Sequence, residues 1–276
     1  MKTFTLYNGV SIPCVGYGTY KVTGEEAVGL VKMALSAGYR HLDTARMYGN
    51  EKEVGQAIKQ SGIARNDIFL TSKVWRTELS YDAVMKSVEG SLQDLDTDYL
   101  DLCLLHWPMP ETDRNQWQKK NLDAWHALEK LYAEKTLRVI GVSNFLPHHL
   151  MPLLSAADVK PMVNQLEYHV GYCQQYAVTY SQQQGILVEA WSPLGRTAVL
   201  QEHLVLELAE KYHKTPAQIC LRFALENNVL PLPKSSSIER MQANLDIFDF
   251  TMTKEDVSRL LTMPQVGWGG HHPDTF

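Results

Sequence analysis

Short apolar strands alternate with amphipathic helical stretches along the whole chain, and this alternation constrains the fold more than any other feature. In the helical stretches, apolar residues recur every three or four positions, as at Val84, Val88, Leu92 and Leu95. Eight strand–helix units in 276 residues give roughly 34 residues per unit, which allows only short connections. The predicted strands are residues 15–18, 41–43, 68–73, 99–106, 137–143, 162–167, 186–191 and 229–233.

This order of elements predicts the fold class. Strands that alternate with helices form parallel sheets, and eight such repeats predict closure into a barrel. We therefore expect an α/β fold of the (β/α)8 TIM-barrel type, for which a length near 250 residues is typical. An open, doubly wound sheet is the alternative. Because no break in composition is present, we expect a single domain over residues 1–276.

Composition and charge exclude several classes of protein. The net charge of −5, without a dense run of lysine and arginine, argues against a nucleic-acid partner. The longest apolar run, residues 102–105, is far shorter than the ~20 residues of a membrane helix, and the first residues turn polar too soon for a signal peptide. We expect a cytoplasmic monomer with no membrane partner. The scattered cysteines fit reduced packing residues better than zinc ligands or disulfides: Cys14, Cys103, Cys173 and Cys220.

The predicted strands end in a series of functional side chains. In (β/α)8 barrels the chemistry lies at the carboxyl ends of the strands, so these side chains form a ring around one mouth. Each alone has a simpler explanation, since Asp43 could cap a turn, Lys73 could be solvated and His106 could be a hydrogen-bonded rim residue. Because all of these separate explanations would have to hold at the same end of the barrel, the pattern favours one shared site. The strand-end residues are Asp43, Lys73, His106, Ser143, Asn144, Gln165, Trp191 and Lys234.

Tyr48 follows Asp43 by five residues and could complete a proton-donating site, although ordinary loop packing is the alternative. A free phenol has a pKa near ~10, and an adjacent ammonium such as Lys73 would lower it and make Tyr48 a better general acid. Asp43 would keep Lys73 charged, and His106 could orient a carbonyl oxygen by a hydrogen bond. This set predicts reduction of an aldehyde or ketone.

A reduction needs a hydride donor, and other residues indicate a nicotinamide cofactor. Gly16 and Gly18 lack the third glycine and the acidic partner of the dinucleotide-binding fingerprint. Residues 233–240 instead place three serines at a helix start between Lys234 and Arg240, which favours a phosphate, with a serine N-cap and solvated bases as the alternative. Ser143, Asn144 and Gln165 could form hydrogen bonds with the carboxamide of a nicotinamide. Trp191 could stack on the nicotinamide ring, or it could belong to the core.

With these residues in place, the chain resembles the aldo-keto reductase family, in particular its bacterial diketogluconate and glyoxal reductase-like branch. The resemblance implies that Tyr48 is the acid and that Asp43, Lys73 and His106 complete the catalytic group. Each matching motif falls at the expected barrel position. The motifs are residues 39–45, 48–51, 71–75, 98–102, 106–108, 140–145, 164–167, 191–195 and 233–235.

The resemblance further implies NADPH as cofactor and a small-molecule carbonyl as substrate, for example methylglyoxal-like dicarbonyls or diketo sugar acids. The substrate pocket is expected to use Tyr20, Trp75, His106 and Trp107, with the tail around Trp268. Ser143, Asn144 and Gln165 are expected on the carboxamide, Trp191 on the nicotinamide, and Lys234, Ser235 and Arg240 on the 2′-phosphate. The other expected cofactor contacts are Gly18, Thr19, Tyr20, Ser192, Leu194, Ser236 and Asn244.

The chain departs from the family pattern at three places. Trp191 stands where many relatives have tyrosine, and Ala243 stands where relatives commonly have a glutamate that contacts the adenine. The segment after Gly195 is short, so we expect faster cofactor exchange than in relatives with a long loop there. His271 and His272 fit tail residues better than ligands, and we expect no metal.

Two other functions are compatible with part of the pattern. A lyase could use Lys73 as a Schiff base, but Tyr48 would then lack a role. A non-catalytic sensor of the redox cofactor could share the scaffold, but it would have no need for all four catalytic residues. An NADPH-dependent aldo-keto reductase is the function that the sequence favours.

Overall fold

The computed structural model describes residues 2–276 and begins with a small hairpin that the sequence did not reveal. Strands β1 (Thr3–Thr5) and β2 (Ser11–Pro13) pair in an antiparallel manner. Leu6 and Ile12 of this hairpin are buried in one cluster with Phe69 and Leu102, which lie at the amino-terminal half of the barrel. The hairpin therefore closes the end of the barrel opposite to the strand exits.

Eight parallel strands follow, and each lies beside its neighbour in the chain. The predicted (β/α)8 barrel is confirmed, and the predicted strand ends agree with the observed ends within two residues. Backbone hydrogen bonds from Gly16 N to Pro231 O and from Gly18 N to Pro233 O, both 3.1 Å, join the first of these strands to the last, which excludes the open sheet. The strands are β3 (Tyr17–Gly18), β4 (His41–Asp43), β5 (Phe69–Val74), β6 (Leu100–Leu105), β7 (Leu137–Ser143), β8 (Val163–Glu167), β9 (Leu187–Trp191) and β10 (Val229–Pro231).

Within the described residues, ten α-helices surround the strands, and apolar residues fill the space between the two layers. Helix α8 shows how the sequence sets a helix start, because the Thr215 hydroxyl accepts from Gln218 N while the Gln218 side chain accepts from Thr215 N. The helices are α1 (Glu26–Ala37), α2 (Glu51–Ser61), α3 (Tyr81–Leu95), α4 (Trp117–Ala133), α5 (Pro147–Ala156), α6 (Gln175–Gln183), α7 (His203–Tyr212), α8 (Pro216–Glu226), α9 (Ile238–Leu245) and α10 (Lys254–Leu261).

Two further features concern membrane-spanning helices and the cysteines. Within residues 2–276, no helix has both the length and the apolar character needed to cross a membrane. All four cysteines are free and buried, in agreement with the interpretation of them as packing residues.

Helices α2 and α3 approach closely at Gly55, and this contact yields a stability prediction. A Cβ at Gly55 would lie 2.5 Å from the backbone oxygen of Leu95. We expect Gly55→Ala to lower the free energy of unfolding by about 1–3 kcal/mol, because the helices must move apart. The exposed Gly29 of α1 is the matched control, since a Cβ there meets nothing within 4 Å. Gly29→Ala should be stabilising by about 0.5–1 kcal/mol in urea unfolding; equal effects at the two sites would contradict this account.

Candidate active site

Four side chains from neighbouring elements meet at the carboxyl end of the barrel. Asp43 ends β4, Lys73 lies on β5, and His106 follows β6. Tyr48 lies on a short 3-10 turn, Arg46–Tyr48, after β4. The Lys73 ammonium Nζ donates to Asp43 Oδ1 at 2.6 Å, to Thr44 O at 2.9 Å and to the Tyr48 hydroxyl at 3.3 Å. The structure thus brings the four predicted catalytic residues together.

A buried asparagine that the sequence analysis missed shapes the turn that carries Tyr48. The Asn50 amide Nδ2 donates to the backbone oxygens of Thr19 (2.9 Å) and Val22 (2.8 Å), and Asn50 Oδ1 accepts from the Thr44 hydroxyl at 2.7 Å. Asn50 therefore ties the loop after β3 to the loop after β4. These bonds hold Tyr48 in position beside Lys73.

The electrostatics of this group differ from the expectation in one respect. Burial raises the pKa of Tyr48 above its usual value, and the Lys73 charge only partly opposes this. The expected net lowering of the Tyr48 pKa is therefore wrong, because desolvation outweighs the nearby ammonium. Burial would lower the pKa of Lys73, but Asp43 and Tyr48 outweigh it and leave that pKa raised. Lys73 stays charged, which argues against a Schiff-base nucleophile, and Tyr48 stays a neutral phenol.

His106 stands between aromatic side chains at the mouth. Its ring meets Trp75 and Tyr48 edge-on, with centroid distances of 5.0 and 5.7 Å. Burial, together with the Lys73 charge, holds the pKa of His106 well below its usual value, so the imidazole is neutral. Its Nδ1 is buried without a hydrogen-bond partner. The single ring proton is therefore better placed on Nε2, where an acceptor can reach it.

Asn144 connects the expected carboxamide site with the histidine. Asn144 has a left-handed backbone (φ 64°), and its Nδ2 donates to His106 O at 3.0 Å and to the Ser143 hydroxyl at 3.1 Å. Its Oδ1 accepts from the indole nitrogen of Trp191 at 2.9 Å. The Ser143 hydroxyl donates to Gln165 O at 2.8 Å. The structure thus joins Ser143, Asn144, Gln165 and Trp191, but the amide of Asn144 is already engaged within the protein.

Below this group lies a buried carboxyl that the sequence analysis also missed. Gln165 Nε2 donates to Asp43 Oδ2 and to Glu189 Oε2, both at 2.8 Å. Burial, with Asp43 nearby, raises the pKa of Glu189 to about 8, so this carboxyl is largely protonated at neutral pH. The available signal was a charged residue in the otherwise apolar strand β9.

The expected phosphate-binding residues gather at the start of α9. Ser237 caps the helix and accepts from Arg240 N at 3.4 Å, and the Arg240 guanidinium donates to the Ser235 hydroxyl at 3.4 Å. Lys234 and Ser236 are exposed beside them, whereas Asn244 is buried on α9. The segment from Lys234 to the first turn of α9 therefore carries two cationic side chains and three serines, which suit an anion, together with the Glu239 carboxylate, which accepts from the Ser237 hydroxyl.

The remaining expected cofactor residues lie on two loops. Gly18 ends β3, and the Thr19 backbone nitrogen and hydroxyl both donate to Asp43 O. Tyr20 packs on Tyr48 with a centroid distance of 5.1 Å. Beyond β9, Ser192 adopts a left-handed backbone, and the chain passes Leu194 into a 3-10 segment, Gly195–Gln201, that leads directly to α7. The connection after β9 is thus short, as expected.

The aromatic wall of the mouth differs from the expectation at one residue. Trp75 and Trp107 are in place, but the tail contributes Phe276, whose ring lies 6.1 Å from Trp75 and 4.4 Å from Trp107. Trp268 packs beside Tyr172 at 6.3 Å instead. The tail residue beside the two predicted tryptophans is therefore Phe276 and not Trp268.

A histidine and aspartate cluster anchors the tail to α5. Asp274 Oδ1 lies 2.8 Å from Nε2 of both His148 and His149, and within residues 2–276 this is the one group with the geometry for a metal. His149 Nδ1, however, accepts from Leu146 N at 3.1 Å, so Nε2 carries the ring proton and donates to Asp274. Without a free lone pair on Nε2, His149 acts as an anchor and not as a ligand.

The fold and this site are those of a carbonyl-reducing barrel, and comparison with known proteins identifies the family. The Aldo/keto reductase family model matches residues 14–263, and the chain belongs to this family. The chain is 44% identical over 273 residues to the glyoxal reductase of Bacillus subtilis, with 99% of this chain and 96% of the relative covered. The predicted family, and its glyoxal reductase-like branch, are confirmed.

Solved structures agree with this assignment. The crystal structure of an aldo/keto reductase from Brucella melitensis matches with a TM-score of 0.88 and 42% identity, covering 94% of this chain and 98% of that chain. An aldo-keto reductase from Bombyx mori in complex with NADP matches with a TM-score of 0.87 and 32% identity, covering 94% and 91%. The barrel is therefore that of a reductase family, as the sequence predicted.

The raised pKa of Glu189 predicts a pH-dependent stability. The folded protein keeps this proton up to about pH 8, whereas the unfolded chain loses it near its usual value of 4.5, so stability falls as the pH rises between these values. Relative to Glu189→Gln, the wild type should lose roughly 3 kcal/mol between pH 5 and pH 8. Urea unfolding of both proteins across this range measures the difference. A constant difference would show that Glu189 is ionised in the folded state at pH 5.

Proposed function

We propose that this protein is an NADPH-dependent reductase of small aldehydes, ketones and dicarbonyls. The observation that carries the proposal is the Tyr48 hydroxyl 3.3 Å from the buried Lys73 ammonium at the mouth of an aldo/keto reductase barrel. The similarity to a glyoxal reductase supports small dicarbonyl substrates, and the similarity to a reductase in complex with NADP supports the cofactor.

The proposed reaction assigns one task to each of the four residues. The nicotinamide, when held at the mouth, would supply the hydride for the carbonyl carbon, and Tyr48 would supply the proton for the carbonyl oxygen, so that an alcohol results. The charged Lys73 stabilises the phenolate that remains, and solvent returns the proton. Asp43 compensates the buried Lys73 charge, and His106 donates from Nε2 to the carbonyl oxygen and fixes its direction.

The cofactor would lie across the mouth from the start of α9 to Trp191. Lys234, Ser235 and Arg240 suit the 2′-phosphate, because the Arg240 guanidinium lies 3.4 Å from the Ser235 hydroxyl near the start of α9 and Lys234 directly precedes Ser235. Ser143 and Gln165 suit the carboxamide, and Trp191 suits the nicotinamide ring. The short connection after β9 supports cofactor exchange without a slow closing step.

The substrate would meet an aromatic wall at the mouth, beside Tyr48 and His106. Tyr20, Trp75 and Trp107 line the mouth with Phe276 from the tail. Flat apolar surfaces hold a small carbonyl compound near Tyr48 and His106 and keep water away. We also infer a cytoplasmic location, because the four free cysteines suit a reducing compartment, and a monomeric state.

Removal of the Tyr48 hydroxyl tests the proposed acid. Tyr48→Phe should reduce turnover of methylglyoxal with NADPH by at least about 100-fold, the scale of placed acid catalysis, while the Kd for NADPH changes little. Loss of NADPH absorbance and cofactor fluorescence measure the two quantities. Tyr7→Phe, far from the mouth at the opposite end of the barrel, is the control. Full turnover by Tyr48→Phe would remove the acid assignment, and borohydride trapping of Lys73 would favour the lyase.

The two cations at α9 predict the choice of cofactor. Arg240→Ala should raise the KM for NADPH about tenfold or more, because one charge-assisted hydrogen bond to the phosphate contributes roughly 1.5–3 kcal/mol. The KM for NADH should stay nearly constant, since NADH has no 2′-phosphate. Arg259→Ala, an exposed arginine paired with Glu207 on another helix, is the control. An equal rise for NADPH and NADH would contradict a phosphate site at Arg240.

A further inference from the structure

We infer that Glu189 is a positioning residue that fixes the side-chain amide of Gln165, so that Gln165 Oε1 faces the cofactor and accepts from its carboxamide. This inference rests on the proposed function and deepens it. Glu189 is fully buried on β9, directly opposite Gln165 of β8 in the strand register. It lies next to the proposed catalytic group without belonging to it.

The hydrogen bonds of Gln165 determine the direction of its amide. The amide nitrogen has two hydrogens, and the two bonds of 2.8 Å to Asp43 Oδ2 and Glu189 Oε2 use both. Only the acceptor oxygen remains for a ligand. A reversed amide would turn its oxygen toward Asp43, which carries the charge that pairs with Lys73, and the two oxygens would repel each other. Asp43 therefore disfavours the reversed amide, and Glu189 Oε2 accepts the second amide hydrogen and holds the amide plane in this direction.

Among the described residues, Glu189 has no hydrogen-bond partner other than Gln165 that would explain a buried carboxyl. Its Oε1 has no partner in this part of the chain. His41 Nε2 lies 3.9 Å from this oxygen and contacts the Thr71 hydroxyl at 3.1 Å. The charged groups nearby are Asp43 and Lys73. A carboxyl with a single partner in a dry interior is less stable than a packed apolar side chain. Its presence is explained by what it does to Gln165.

Asp43 links Gln165 to the proposed catalytic group. One Asp43 oxygen accepts from Lys73 at 2.6 Å and the other accepts from Gln165 at 2.8 Å. The same carboxylate thus holds the ammonium beside the proposed acid and the amide beside the proposed nicotinamide. Glu189 contacts Gln165 and forms no hydrogen bond to Lys73 or Tyr48 among the described residues, so we expect it to affect cofactor binding more than proton transfer.

A binding experiment with NADPH and a cofactor fragment tests the role of Glu189. Glu189→Leu removes the acceptor at similar volume and should raise the Kd for NADPH about tenfold, because the Gln165 amide then keeps only its bond to Asp43 and is held less firmly. The Kd for 2′,5′-ADP, which has no carboxamide, should stay within about twofold. Glu189→Gln keeps an acceptor and should bind NADPH nearly as well as the wild type. Equal weakening of NADPH and 2′,5′-ADP by Glu189→Leu would overturn the inference.

A double-mutant cycle separates positioning from a general structural effect. In a Gln165→Leu background, Glu189→Leu should weaken NADPH binding no further, because its effect runs through Gln165. Additive effects of the two substitutions would overturn the inference. Should Glu189→Leu fail to fold, the wild type still provides a test with the 3-acetylpyridine analogue of NADP, which lacks the carboxamide N–H. Binding of the analogue as tight as that of NADP would overturn the inference.

The same measurements keep the two proposals apart. If the protein did not use NADPH, the wild type itself would bind neither NADPH nor 2′,5′-ADP. If only the role of Glu189 were wrong, the wild type would bind both, and Glu189→Leu would fail to distinguish them.

Discussion

The buried ion pair between Lys73 and Asp43 is the interaction on which the site depends. Both side chains lie inside the barrel, where an unpaired charge would be several kcal/mol less stable than in water. Asp43 raises the pKa of Lys73 against the effect of burial and keeps the ammonium charged. That fixed charge is the one cation beside the Tyr48 hydroxyl among the described residues. Without Asp43, Lys73 would be free to lose its proton, and Tyr48 would lose the group that stabilises its phenolate.

The alternation of side chains along β9 explains how one strand contacts both Gln165 and Asn144. Side chains two positions apart point to the same face of a strand, so Glu189 and Trp191 both project into the barrel and its mouth. Glu189 reaches the Gln165 amide, and Trp191 reaches Asn144 one level higher. The buried Glu189 therefore supports Gln165, and Asn144 supports Trp191.

The sequence allowed prediction of the barrel and of the grouping of Asp43, Tyr48 and His106 around Lys73, because strand periodicity and strand-end polarity are local signals. It did not reveal the β1–β2 hairpin, since strands of three residues carry too little pattern. Phe276 was missed because the path of a tail across the mouth depends on tertiary contacts. The direction of the Tyr48 pKa was predicted wrongly, since the sequence shows the neighbouring lysine but not the degree of burial. Glu189 was visible as a charge in an apolar strand, but its partners lie on other strands.

Two bridging residues make the acid, the histidine and the proposed cofactor site a single unit. Asp43 connects Lys73 to Gln165, and Asn144 connects Trp191 to the backbone of His106. In the second bridge, the indole N–H of Trp191 donates to Asn144 Oδ1 and fixes the plane of the ring. A displacement of the ring would therefore disturb His106 as well. In the proposed hydride transfer, which would need the ring, the carbonyl and the proposed acid to be aligned, this shared support would reduce the freedom of each group before the substrate arrives.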